Sequence, residues 1–275
     1  MNAPNPSAPR ANSELKLRVA SALVLGALIL LVTLWGGWPF RLVWILVAGL
    51  VAYEWLAIIG RGNAIPAGIA VVVAGIALAF SPASPVAIAG TASAMALLGA
   101  VMTPFMRSRL ALELCGVAYA LAFALVTPAL RDLAGVGLAL ILWSFAVVWL
   151  TDIAAYFTGR KLGGPKLMPA VSPKKTWSGA IGGAVAGMLG GYLVWRLMPA
   201  LQGMTAVGPV VTASLAGSIV SQAGDLFESA LKRRFDAKDS SKLIPGHGGF
   251  LDRLDGYWAV LVLAGFALFA LHLNV

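Results

Sequence analysis

Two stretches of the chain gather side chains suited to chemistry on an anion. The first runs from Asp152 through Arg160 and Lys161 to Ser172-Pro173-Lys174-Lys175-Thr176. Serine followed by proline predicts a helix start, with a hydroxyl at the cap and proline in the first turn. The unpaired N–H groups of such a start favour negative charge. Lys174, Lys175 and the Thr176 hydroxyl add charge and donors at the same spot. A polyphosphate and a lipid headgroup would both suit it. No GxxxxGK[ST] loop is present.

The second stretch is richer in carboxylates. Asp225, Glu228, Ser229 and Lys232 recur at three- and four-residue spacings, which puts them on one helical face. Arg233, Lys238 and Asp239 follow, then the turn Pro245-Gly246-His247-Gly248-Gly249, then Asp252, Arg253 and Asp255. Asp252 and Asp255, three apart at a helix start, also share a face. Carboxylates from two neighbouring helices can form an oxygen cage for Mg²⁺, and phosphoryl displacement uses such ions to neutralise charge. The competing reading is a solvated network with the nearby cations, each pair contributing about 0–1 kcal/mol. Against it, Asp225 sits barely past an apolar run, where an unpaired carboxylate is costly.

These residues must be positioned by membrane helices. Of the 275 residues, 60% are hydrophobic and 11% charged, with mean hydropathy +0.88. Soluble domains carry roughly 25% charged residues. Apolar segments fall near 17–35, 42–59, 64–81, 85–103, 110–130, 136–158, 177–198, 207–228 and 257–274. Crossing the hydrocarbon core takes about 20 such residues, and lipid leaves the backbone no partner outside a helix. The first segment lacks an A-x-A-like cleavage site and reads as an uncleaved helix. Cys115 lies in an apolar run and reads as packing.

With the N-terminus inside, every lysine and arginine except Arg41, Arg131 and Arg196 falls on the cytoplasmic side. The expectation is an all-α polytopic integral membrane protein of about nine transmembrane helices, N-terminus cytoplasmic and C-terminus outside. Residues 1–15 read as a disordered tail and 16–135 as a transmembrane scaffold carrying almost no chemistry. Residues 136–275 read as a catalytic region with cytoplasmic loops 159–176 and 229–256. The net charge of +9 is explained by orientation, without nucleic acid.

The run from Ser229 to Asp255 closely resembles the signature of the phosphatidate cytidylyltransferase (CDP-diacylglycerol synthase) family. The matching positions include Lys232-Arg233, Lys238-Asp239, Pro245, His247-Gly248-Gly249, Asp252-Arg253 and Asp255. The run from Asp152 to Gly179, with its Ser172-Pro-Lys-Lys-Thr-Trp177 core, is also similar to this family. Ser178 departs from it, since relatives often carry Glu or Gln there. The resemblance implies that CTP and phosphatidic acid give CDP-diacylglycerol and pyrophosphate, with Mg²⁺, at a bacterial-type cytoplasmic membrane. The active site would face the cytoplasm, and a homodimer is implied.

Carried over residue by residue, the resemblance makes Asp225 and Asp252 metal ligands and adds Lys238 and Asp239 to the catalytic set. Asp152, Ser172, Lys174, Lys175 and Thr176 are candidates for the nucleotide. Lys232, Arg233, His247 and Arg253 are candidates for the lipid phosphate or pyrophosphate. The alternative, an anion or lipid transporter, predicts carboxylates near mid-membrane, whereas these cluster at one face.

Overall fold

A computed structural model describes residues 11–81 and 84–272. The first ten residues of the expected tail lie outside the described residues. Helix α1 begins at Ala11 and runs to Trp35, followed by α2 (Gly37–Ile58), α3 (Ile65–Ala79), α4 (Pro85–Met102) and α5 (Arg109–Arg131). Then come α6 (Gly137–Leu162), the strands β1 (Lys166–Met168) and β2 (Ser172–Thr176), and α7 (Trp177–Leu197). The short α8 (Pro199–Met204), α9 (Val207–Arg234) and α10 (Leu251–His272) complete the described residues. Each apolar segment of the sequence is a helix. Among the described residues, seven helices (α2, α4, α5, α6, α7, α9 and α10) are long and apolar enough to cross a membrane. The apolar stretches Val19–Trp35 and Ile65–Ala79 are shorter.

Two boundaries differ from expectation. The expected loop 159–176 begins later: α6 continues to Leu162, because nothing breaks it before Gly163, whose φ of 63° suits a helix terminus. Ser172-Pro173 does not start a helix either. Residues 172–176 pair antiparallel with 166–168, in the register Lys166↔Thr176 and Met168↔Ser172. Proline lacks an amide hydrogen, which an edge strand does not need. The cap of α7 is instead Thr176, whose Oγ1 accepts from the Gly179 N–H at 3.2 Å.

Lipid supplies no hydrophobic drive between helices, so close packing and interhelical hydrogen bonds must hold them. The α6–α7 contact shows this. Gly179, Gly183, Gly187 and Gly190 line the buried face of α7, and a Cβ at Gly183 would lie 2.9 Å from the Thr151 carbonyl oxygen. Thr151 and Ser218 share a hydrogen bond of 2.7 Å between α6 and α9.

The other half is joined by rings. Tyr119 of α5 stacks on Trp258 of α10 with centroids 4.1 Å apart, and the Trp258 indole N–H donates to the Tyr119 carbonyl at 2.9 Å. Trp44 of α2 stacks on Tyr257 of α10 at 5.2 Å. Such ring pairs contribute about 0.5–1.5 kcal/mol each. Helix α10 is thereby clamped to α2 and α5, and the loop before it is held against the N-terminal half.

Candidate active site

One cavity of about 1640 Å³ collects the chemistry-bearing residues. Its apolar wall comes from α1 between Ala22 and Leu30, from Val43, Trp44 and Val47 of α2, and from Phe145, Val148 and Trp149 of α6. The polar end is formed by the C-terminal part of α6, the β1–β2 hairpin, α9, the loop before α10, and the first turns of α10. Single-ligand pockets measure about 300–1,000 Å³, so this one has room for more than one small molecule. A charged end joined to an apolar wall would suit an amphiphile.

Asp152, Asp225 and Asp255 line this end from α6, α9 and α10. Lys175 Nζ lies 2.5 Å from Asp225 Oδ2. Like charges so placed repel unless a cation intervenes. Among the described residues no three carboxylate, histidine or cysteine side chains converge in ligating geometry. The donor set nevertheless suits a hard divalent cation, which takes carboxylate oxygens.

Asp252 has different partners. Its carboxylate accepts from Lys232 Nζ at 2.6 Å, from the Ser240 N–H at 3.0 Å, from Ser240 Oγ at 2.9 Å and from the Gly249 N–H at 2.8 Å. Lys232 also pairs with Glu228 Oε2 at 2.7 Å. Glu228 is buried, and its Oε1 has no hydrogen-bond partner among the described residues. Lys232 is thus committed to two carboxylates of the protein.

Around the Gly-rich turn, both Nε and Nη2 of Arg253 donate to the His247 carbonyl, at 3.0 and 2.9 Å. His247 Nδ1 lies 2.8 Å from Ser21 Oγ of α1. The departing residue Ser178 also has a role: its hydroxyl donates to the Gly163 carbonyl and lies 3.0 Å from Thr176 Oγ1. It ties the base of the hairpin to the end of α6.

Of the residues singled out from sequence, Asp152, Lys174, Lys175, Thr176, Asp225, Lys232, Asp239, His247, Asp252 and Arg253 line the cavity. Ser172, Arg233 and Lys238 are not among its lining residues. The Arg233 Nη1 donates to the Ala237 carbonyl at 3.4 Å, so it closes the end of α9. Glu228, Ser229 and Asp255 line it as well, and so do Arg160, Lys166 and Gln222, none of which had been given a role in binding.

The scaffold half also contributes a residue missed in the sequence. Glu54 of α2 is fully buried and accepts from Ser240 Oγ, Ser241 Oγ and the N–H groups of Phe250 and Leu251. The signal was available, because an ionisable residue within an apolar segment is rare and costly.

The cytidylyltransferase family profile matches residues 16–271. A phosphatidate cytidylyltransferase of Brucella suis is 43% identical over 255 residues, covering 91% of this chain and 92% of that protein. The phosphatidate cytidylyltransferase of Haemophilus influenzae is 43% identical over 126 residues, 46% of this chain and 44% of that protein. That of Bacillus subtilis is 39% identical over 144 residues, covering 50% and 51% respectively.

Proposed function

The chain belongs to the cytidylyltransferase family, and from that premise we propose that it transfers the cytidylyl group of CTP to phosphatidic acid. The products are CDP-diacylglycerol and pyrophosphate. The observation that carries this reading is the single cavity with a cation-and-carboxylate end and an apolar wall. A water-soluble triphosphate and a two-chain lipid must meet in one place, and this cavity offers each a matching surface. The transporter alternative has no support in the relatives.

A phosphate oxygen of the lipid attacks the α-phosphorus of CTP, and the bond from that phosphorus to the bridging oxygen of pyrophosphate breaks. The nucleophile is already anionic near neutral pH, since a phosphomonoester's second pKa is about 6. No strong general base is needed. The protein's task is to hold two polyanions in line and to neutralise charge. Lys174, Arg160 and Lys166 line the cavity without an ion pair to a carboxylate among the described residues, and they suit the triphosphate. Asp239 borders the same end, and His247 and Arg253 shape the turn facing the lipid phosphate.

We assign Mg²⁺ to Asp225, with Asp152 and Asp255 as the carboxylates sharing its charge. Bound there, the ion would supply charge neutralisation for the attacking and leaving oxygens. Asp252, expected from sequence to share that ion, already accepts from Lys232, Ser240 and Gly249. It would have to release Lys232 to ligate, so we assign it to the architecture of the site.

Nine crossings, a cytoplasmic N-terminus, an outside C-terminus and an active site facing the cytoplasm of a bacterial-type inner membrane belong to the same reading. The placement of basic residues supports them. The homodimer implied by the family resemblance is carried with it. The test is to give the purified protein phosphatidate, Mg²⁺ and CTP labelled at either the α- or the γ-phosphorus. The α-label should enter the lipid fraction and the γ-label should leave as pyrophosphate. A lipid fraction without α-label would overturn the reading.

A further inference from the structure

Glu54 lies outside the cavity lining, in the half of the chain that was expected to carry almost no chemistry. Its two oxygens divide four donors evenly. Oε1 accepts from Ser241 Oγ at 2.6 Å and from the Phe250 N–H at 3.0 Å. Oε2 accepts from Ser240 Oγ at 3.0 Å and from the Leu251 N–H at 2.7 Å. All four donors are neutral and lie in or beside the loop that carries the family signature. Two of them are amides at the start of α10, which have no partner within the helix and attract negative charge.

The contact reaches the cavity through one shared hydroxyl. Ser240 Oγ is within hydrogen-bond distance of Glu54 Oε2 and of Asp252 Oδ2, at 3.0 and 2.9 Å. A hydroxyl has one proton to give, so the two carboxylates are linked through it. The packing leaves no slack: a Cβ at Gly249 would lie 2.1 Å from Ser240 Oγ and 2.4 Å from Glu54 Oε1. Asp252 and Arg253 follow immediately after the amides that Glu54 holds.

We propose that Glu54 is a positioning residue for cytidylyl transfer: it fixes the first turn of α10 and the turn before it, and with them the Lys232–Asp252 pair and Arg253 at the polar end of the cavity. The proposal rests on the cytidylyltransferase reading above. A carboxylate suits the site because Ser241 and the two amides donate to it, with the Ser240 hydroxyl shared between it and Asp252. The amide of glutamine offers one accepting oxygen, and its NH₂ would face the Phe250 or Leu251 N–H, donor against donor. Displacing a catalytic element by about 1 Å costs on the order of 10²-fold in rate.

The experiment compares the full chain with Glu54→Gln and Ser241→Ala, purified in detergent. It measures kcat, KM for each substrate, and amide hydrogen exchange. Ser241 gives one of the four hydrogen bonds and does not line the cavity. Glu54→Gln should lose about 10²-fold in kcat with both KM values within about threefold of wild type. Exchange should accelerate at Gly249 to Leu251 alone. Ser241→Ala should show a smaller kcat loss of the same kind, and it decides the matter if Glu54→Gln does not insert. Wild-type kcat in the deciding variant, or exchange accelerated throughout α2 and α10, would overturn the proposal. An inactive wild-type protein would overturn the parent reading, and the exchange pattern would then decide the Glu54 contact by itself.

Discussion

Lys232 Nζ lies 2.6 Å from Asp252 Oδ1 and bridges α9 to the first turn of α10. The same ammonium meets Glu228, so one cation is shared by two carboxylates, and the Lys232 side chain is 12% exposed. That arrangement makes it a structural centre before any substrate arrives.

Removing this cation should therefore unfold as well as inactivate. Breaking a buried pair by deleting one partner costs about 3–5 kcal/mol, because the remaining charge is stranded. Lys232→Met should lower the thermal midpoint clearly, together with activity. A midpoint equal to wild type with activity lost would return Lys232 to phosphate binding.

The two hairpin lysines should behave differently. Lys174 is exposed and lines the cavity. Lys174→Gln should raise KM for CTP by about tenfold or more, the worth of one charge-assisted hydrogen bond of roughly 1.5–3 kcal/mol. KM for phosphatidate should barely move. Lys175 is paired with Asp225, so Lys175→Gln should shift the Mg²⁺ dependence. Equal effects of both variants on phosphatidate alone would show that the hairpin serves the lipid.

Thr176 tests whether its hydroxyl caps α7 or touches nucleotide. Thr176→Ala should cost about 1 kcal/mol of stability, and Thr176→Ser, which keeps the oxygen, should restore the thermal midpoint. A variant that loses CTP affinity without losing stability would reverse the assignment.

Topology is open to direct measurement. Reporter fusions after Arg109, Lys166 and Lys238 should read cytoplasm, and one at Val275 should read the outside. A cytoplasmic reading at Val275 would remove one of the nine crossings.

The helices were legible because lipid permits few alternatives: each long apolar segment had to satisfy its own backbone. The clustering of Asp225, Lys232, Asp252 and Arg253 was legible from helical spacing and from the family signature. The hairpin was not. Ser172-Pro173 suits a helix start and an edge strand equally well, and only the pairing of Lys166 with Thr176 separates them. The partners of Asp252 were also hidden, since Ser240 and Gly249 approach it through a loop whose path no spacing rule sets. Glu54 lies 186 residues before Ser240. A contact of that range has no local signature beyond the presence of a carboxylate in an apolar run.

Cytidylyl transfer depends above all on the carboxylate charge at Asp225. The most direct test is the turnover of Asp225→Asn against wild type across a Mg²⁺ titration. Asparagine keeps the shape and removes the charge, so the variant should fold, insert and keep its apolar cavity wall. Its kcat should fall by at least about 10²-fold, roughly 2.7 kcal/mol of transition-state stabilisation. Chelation should abolish wild-type activity, and added Mg²⁺ should restore it. Near-normal turnover of correctly inserted Asp225→Asn at ordinary Mg²⁺ would contradict the account.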